Sequence, residues 1–385
     1  MIGIGINTGT SADAIDIAMI KFDMALPYPG IKPLWSGTYP YPAALKRLFL
    51  ELVDHTNTFT PSTWFAMAGQ FDFGLGMAFS DALLKAINSS GIKKSGIAFI
   101  GSHGQTVWHS PKPQKIHTDK QFSTGSTIQL GSPSVMAVRT GIPVVAHFRD
   151  KDVALRGQGA PLAPVLHFEL FRQYAPAVVL NIGGISNITA IPSHSNFYTV
   201  HGFDTGPGNR LIDIAVEAYT NGRKTFDTNG RFAAKGIVNA DMLERLMHDR
   251  FVKKHPPKST GRDLYNKTYI TMLDIPLDDI DTIATLTAFT AHSIMYNIKH
   301  FAGHKIKNII ICGGGANNLT IIRHLSGLMH GVSIKTVEEF GYKPYVIEPM
   351  LFAYLGYLGF NKIPVSLKNI TGSLSAFVPG GIYYP

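Results

Sequence analysis

2-IGIGINTGTSADAIDIAMI-20 reads as two apolar strands folded back on each other about a glycine turn, with Ile at alternate positions on both sides. Alternation of this kind marks a half-buried strand. An apolar strand running into a glycine turn returns at 177-AVVLNIGGISNITAI-191 and at 308-NIIICGGGANNLTII-322. Each turn carries small hydroxyl or amide residues beside the glycines. Glycine allows positive φ and close backbone approach, so such turns present N–H groups to an anion. Two of the three open the two halves of the chain, Gly9 and Gly184 lying 184 − 9 = 175 positions apart. The pattern predicts two related domains that close on a nucleotide.

Composition agrees with a compact two-domain protein. The 385 residues exceed one ordinary core. Hydrophobic residues make up 45% and charged residues 16%, the opposite of a disordered balance. Apolar runs are strand-length and interrupted, so no membrane span is expected, and the N-terminus enters a strand with no basic leader. A cytoplasmic location is the expectation. The single cysteine, Cys312, excludes an intramolecular disulfide and a cysteine-based zinc site, and reads as a buried small hydrophobe. The net charge of +9 is scattered, densest at 253-KKHPPK-258 and 304-HKIKN-308. Without aromatic interleaving this reads as a basic surface and not as a nucleic-acid site.

Strand and helix patterns interleave, which argues α/β. Helices are expected at 62–91 (one long or two shorter), 129–140, 209–220, 236–249, 279–302, 318–329 and 349–359. Strands are expected at 97–104 and 142–148. Because each half opens with a hairpin, the sheets should be mixed. Domains are expected at 1–174 and 175–385, with 149–164 either a linker or a functional loop.

Several turns carry candidate chemistry. Gly9, Thr10, Ser11, Ala12, Asp13, Ala14, Ile15 and Asp16 offer N–H groups, hydroxyls and two carboxylates, which suits phosphate bridged by Mg²⁺, or a plain polar hairpin turn. Asp204, in 203-FDTGPGN-209, could accept a proton from water or serve as a turn-former or helix cap. His103, Gln105 and Thr106 follow a strand in 101-GSHGQTVWH-109 and suit a polyhydroxylated ligand or a structural role. Arg149 could clamp a carboxylate or phosphate, or be a surface charge, and Asp152 lies in the same loop. Metal-ligand spacing, the Gly-x-Ser-x-Gly elbow and the dinucleotide fingerprint are absent from the sequence, so hydrolase and dehydrogenase readings lack their signatures.

Together these segments resemble the anhydro-N-acetylmuramic acid kinase family. GTSADAID (9–16), GSHGQTVWH (101–109), FRDKDVALRGQGAPLAP (148–164), NIGGISNIT (181–189), FDTGPGN (203–209), STGRDLYN (259–266), CGGGANN (312–318), EPMLFAYLG (348–356) and NITGS (369–373) keep family order over the full length. The resemblance implies a two-domain α/β fold of the sugar kinase/Hsp70/actin type, ribonuclease H-like, with mixed sheets and ATP in an interdomain cleft. It implies hydrolytic opening of a 1,6-anhydro ring and phosphorylation of O6, a place in peptidoglycan recycling, and ATP and Mg²⁺ as cofactors. Carried onto this chain, Asp204 is the base that activates water. Gly9 to Asp16, Gly183, Gly184, Gly313, Gly314, Gly315 and Asn317 face ATP, Asp13 and Glu348 the metal, and Gln105, Thr106 and Arg149 the sugar. The sugar itself is left between anhydro-N-acetylmuramic acid and levoglucosan, and a non-catalytic ATP-binding module of the same superfamily is the remaining alternative. A homodimer is left open. The chain departs from the family pattern at Asn7-Thr8 (usually Met-Ser), at Ala14 and Arg156 (usually Gly) and at Pro349 (usually a small residue).

Overall fold

The computed structural model describes residues 1–9, 12–23, 30–53, 59–116, 119–193, 196–261, 264–302 and 305–385, with side chains set aside at 115–116 and 119–122. The chain forms two compact units. The first is Met1–Leu166 with Tyr345–Lys368 and Gly372–Pro385; the second is His167–Pro344 with Asn369–Thr371. The continuous second domain expected over 175–385 is therefore corrected: most of the chain after Pro344 belongs to the first unit.

In chain order the elements begin with β1 (Ile2–Thr8), β2 (Ala14–Phe22), β3 (Ile31–Pro40), α1 (Ala43–Val53), α2 (Pro61–Ser90) and β4 (Ile97–Ser102). Next come β5 (Gln105–Ile116), β6 (Asp119–Leu130), α3 (Pro133–Thr140), β7 (Val144–Ala146), α4 (Asp150–Ala154) and α5 (Pro164–Phe171). The second unit continues with β8 (Ala177–Ile182), β9 (Ile185–Ile191), β10 (His201–Pro207), α6 (Arg210–Tyr219), α7 (Ala240–Met247), α8 (Arg250–Lys253) and α9 (Lys267–Met272). Then follow α10 (Ile280–Phe301), β11 (Asn308–Cys312), α11 (Leu319–Leu328) and β12 (Ser333–Thr336). Finally α12 (Ile347–Phe360) and β13 (Gly381–Tyr383) complete the first unit.

The first unit's sheet has the order β13-β7-β4-β1-β2-β3 and the second's β10-β9-β8-β11-β12. In the first, β1, β2 and β3 form an antiparallel meander, while β4 and β7 run parallel to β1. In the second, β8, β9 and β10 form the meander, and β11 and β12 run parallel to β8. β13 apart, the two sheets share one strand order and one set of directions, the mixed α/β arrangement of the ribonuclease H-like fold. The half-chain echo in the sequence is this repeated topology.

β1 is buried on both faces, as its near-continuous apolar run requires. Its Gly5, with Gly101 of β4, exists for close approach: a Cβ on either would collide with the carbonyl oxygen of Pro349 or Phe352. Helix α12 lies against these strands, and every residue from Pro349 to Gly359 is buried. A helix apolar all round is a core helix. Its N-terminus carries Glu348 to the end of β1. In the second unit the mostly buried α10 packs on α6, α7, α11 and β10.

Helix α2 runs unbroken from Pro61 to Ser90, capped by Thr60 and ended at the left-handed Gly91. The strand expected at 97–104 ends at Ser102, and Gln105 and Thr106 beyond it start a long two-stranded ribbon, β5–β6. The loop expected at 149–164 contains the short helix α4. Among the described residues, no helix is long and apolar enough to cross a membrane.

Candidate active site

In the first unit the turn after β1 is closed by the Ala12 N–H, which donates to the Gly9 carbonyl at 3.0 Å. Ala12 is buried with φ +50°. Thr10 and Ser11 lie outside the described residues. Asp13 is exposed and ion-paired with Lys46. Ala14, Ile15 and Asp16 are not turn residues but open β2. Ala14 does not take positive φ, so its methyl is accommodated where the family has glycine. Ile15 points into the core.

Asp16 stands opposite Asn7 in the β1–β2 ladder and accepts from Thr38 Oγ1 at 2.6 Å. Asn7 Nδ2 donates to Glu348 Oε2 at 2.6 Å. Burial pushes the Glu348 carboxyl above the usual range, and the Asp16 charge adds to this, while the Asn7 bond and Arg149 oppose it. Burial also raises Asp16, against the Thr38 bond. Two carboxyls that burial makes costly to ionise, one of them also facing the other's charge, are the donor set a divalent cation relieves. The structure thus groups Asp16 with Glu348 and gives Asp13 a lysine partner.

The sugar-side candidates lie in the same unit. Gln105 is buried and accepts from Thr8 Oγ1 at 3.3 Å; Thr106 accepts from Gln129 Nε2 at 3.4 Å. Arg149 donates through Nε to His103 Nε2 at 3.1 Å and through NH1 to the Gly159 carbonyl at 2.6 Å. The guanidinium is therefore built into its loop and is not a free surface charge. Burial lowers it to about 10, with Glu348 and Asp152 holding it up. His103 stacks on Phe352 at 4.4 Å, and burial and Arg149 keep it neutral. Asp152 Oδ2 accepts the Gly159 N–H at 2.6 Å, which shapes this loop.

In the second unit the other two glycine turns sit side by side, because β8 and β11 are paired with Asn181 opposite Cys312. Gly183 and Gly184 accept through their carbonyls from Asn209 N and Gly208 N. Gly313 has φ +80°, and Gly314 has no neighbour where a Cβ would stand. The backbone at Gly314 is therefore open to a ligand. Asn317 is exposed at the end of the same turn, while Asn318 caps α11.

Asp204 lies on β10 opposite Asn187, just before a register shift that ends at Gly206. Such irregularities re-aim side chains beside active sites. Only 8% of the residue is exposed. Its Oδ2 accepts the Thr260 N–H at 2.8 Å, and its own N–H donates to the Lys258 carbonyl at 3.1 Å. Burial raises the carboxyl to about 7, against the Thr260 bond and the Lys258 charge. A carboxylate near neutral pKa is matched to taking a proton from water.

A family model described as anhydro-N-acetylmuramic acid kinase matches residues 1–385. The chain belongs to the anhydro-N-acetylmuramic acid kinase family. Curated relatives of that name agree. One from Caldanaerobacter subterraneus subsp. tengcongensis is 36% identical over 388 residues, covering 98% of this chain and 96% of its own. One from Vibrio cholerae is 37% identical over 385 residues, covering 99% and 98%. A solved structure, the activator of the 2-hydroxyisocaproyl-CoA dehydratase from Clostridium difficile with bound ADPNP, is a distant likeness at TM-score 0.42 and 11% identity, covering 93% of this chain and 94% of that one.

For an anhydro-N-acetylmuramic acid kinase family chain, sequence reading overlooked three contributors. Asn7 figured only as a departure, yet it links β1 to Glu348. Thr260 supplies its backbone, which no side-chain pattern reveals. Lys258 was counted in a basic surface run, and it is 1% exposed. The position of 259-STGRDLYN-266 in the family motif order was the one available signal; Arg262 and Asp263 of that motif lie outside the described residues.

Proposed function

We propose that this chain is an ATP-dependent kinase that hydrolytically opens the 1,6-anhydro ring of anhydro-N-acetylmuramic acid and phosphorylates O6, giving N-acetylmuramic acid 6-phosphate and ADP. Family membership over residues 1–385 supports the reaction class. The observation that carries the chemistry is Asp204: buried, held near neutral pKa, with Oδ2 engaged by Thr260 and Oδ1 without a hydrogen bond among the described residues. An ATP-binding module without chemistry has no use for such a carboxylate.

In this reading Oδ1 of Asp204 takes a proton from water as the water oxygen bonds to C1. The C1–O6 bond breaks, and O6 then bonds to the γ-phosphorus of ATP as the bond to ADP breaks. Attack at an anomeric carbon needs only one carboxylate as base when the second function is phosphoryl transfer. Asp16 and Glu348 fit Mg²⁺, which would neutralise phosphate charge. Asn7 holds Glu348 in orientation for that ion. The open backbone at Gly314 and the turn at Gly183 and Gly184 suit close approach of the nucleotide, and Gln105, Thr106 and Arg149 the sugar.

The test is ADP release from Mg-ATP with anhydro-N-acetylmuramic acid, levoglucosan or neither, in ¹⁸O-labelled water. Release with the muramic sugar and label at C1 of the product are expected. Release with neither sugar, or label in the phosphate alone, rejects the reading.

A further inference from the structure

Lys258 is a buried cation that the reaction above leaves without a role. Its Nζ donates to the carbonyls of Phe251 and Val252, both at 2.9 Å. The remaining ammonium face meets three aromatic rings, Phe251 at 5.1 Å, Phe301 at 5.3 Å and Phe203 at 5.9 Å. Cations are attracted to ring faces at such distances, more strongly when desolvated. Among the described residues no carboxylate forms an ion pair with it, so Asp204 and Asp249 balance its charge at longer range.

The main chain at this lysine brackets Asp204. The Lys258 carbonyl takes the Asp204 N–H, and two residues on, the Thr260 N–H reaches the Asp204 carboxylate. Wherever the Lys258 side chain is anchored, the segment 258–260 is held against β10. The bland alternative is a plug for the last carbonyls of α8, a common duty of lysine at a helix end.

Resting on the reading of Asp204 as the water base, we infer that Lys258 is a positioning residue for it: its caged ammonium fixes the Thr260 N–H on the carboxylate and favours the ionised, proton-accepting form. The surroundings leave this to one cation. Of the elements packed on β10, α10 presents uncharged Thr290, Ser293 and Asn297. α8 presents Val252, with Arg250 and Lys253 exposed, and β9 presents Asn187. Asp249 and Lys254 act on Lys258, and Tyr265 faces the charges of Asp249 and Asp204. Burial depresses Lys258 to about 8, with Asp204 and Asp249 opposing, so it is charged at neutral pH.

The experiment titrates the Asp204 carboxyl carbon by ¹³C NMR in the wild type, Lys258→Met and Lys258→Arg, alongside the pH profile of kcat/KM. Lys258→Met should raise the Asp204 midpoint by about one pH unit or more, and move the acidic limb of the profile equally. Lys258→Arg, which keeps the cation, should return both toward the wild type. A lowered plateau with midpoint and limb unmoved would make Lys258 a helix plug and overturn the inference. Charge coupling is reciprocal, so Asp204→Asn should lower the midpoint of the Lys258 Cε resonance by a similar shift. An unchanged midpoint there also overturns it, and this arm needs neither turnover nor a folded Lys258→Met. If the wild type fails to release ADP with either sugar, the kinase reading falls while the titrations still decide the coupling.

Discussion

Asp204→Asn should make the protein inactive and, above neutral pH, more stable. The folded carboxyl titrates at about 7 against 3.8 for the free group. Because the folded value is the higher, the folded state binds the proton more tightly. The resulting stability is fully present below pH 3.8 and is lost as pH rises to 7. At 1.36 kcal/mol per unit, the ionised carboxylate at pH 8 carries a penalty of about 4 kcal/mol, and at pH 5 about 1.6 kcal/mol. Asparagine is neutral at every pH and still accepts the Thr260 N–H through its amide oxygen. Leaving Lys258 without its counter-charge takes part of the gain back, so a net stabilisation on the order of 2–4 kcal/mol is expected at pH 8. Thermal melting at pH 5, 6, 7 and 8 reads the difference, which should grow with pH and level off above 7. Turnover measured on the same samples should fall about 10²–10⁴-fold, the usual worth of a general base. A melting difference that does not change with pH would refute the desolvated carboxylate, and near-normal turnover would refute the base.

Arg156 sits at φ +63° just past α4, where glycine is the ordinary helix-ending residue, so Arg156→Gly should stabilise the fold by about 1 kcal/mol in urea unfolding. Glu348→Gln keeps an acceptor for Asn7 but removes charge from the carboxylate pair; half-saturating Mg²⁺ in the ADP-release assay should rise at least about tenfold. An unchanged Mg²⁺ requirement would separate Glu348 from the metal. Gly5→Ala drives a methyl into the Pro349 carbonyl and should cost about 3 kcal/mol or more, read as a lower melting temperature with loss of Mg²⁺ response.

The glycine turns were legible because their cause is local: an apolar strand must end, and small residues such as Gly313, at positive φ, suit the tight reversal. The hairpin β1–β2 and the doubled topology followed from them. The ribbon β5–β6 escaped because Gln105 to Ser110 is mostly polar, with no two-residue apolar period for an exposed ladder to display. Helix α12 was found, but an all-apolar helix does not say which sheet it covers; the collision-free strip of Gly5 and Gly101 decides that in three dimensions. Lys258 was the largest miss. Beside Lys253, Lys254 and His255 it looks solvated, and its burial is made tolerable by two carbonyls of α8 and by the rings of Phe251 and of Phe203 and Phe301, the last two distant in sequence.

The first unit is written in pieces, with 167–344 between its early strands and α12. During synthesis, at about 5–20 residues per second, β1 and β4 wait tens of seconds or less for the helix that covers them. Until Ile347–Phe360 arrives, Asn7 has no Glu348 to hold, and the carboxylate pair with Asp16 does not exist. A chain arrested before residue 345 therefore carries Asp204 and its supporting segment but not the Asn7–Glu348 contact. On the proposed reading, the chemistry that spends nucleotide waits for the last helix to be made.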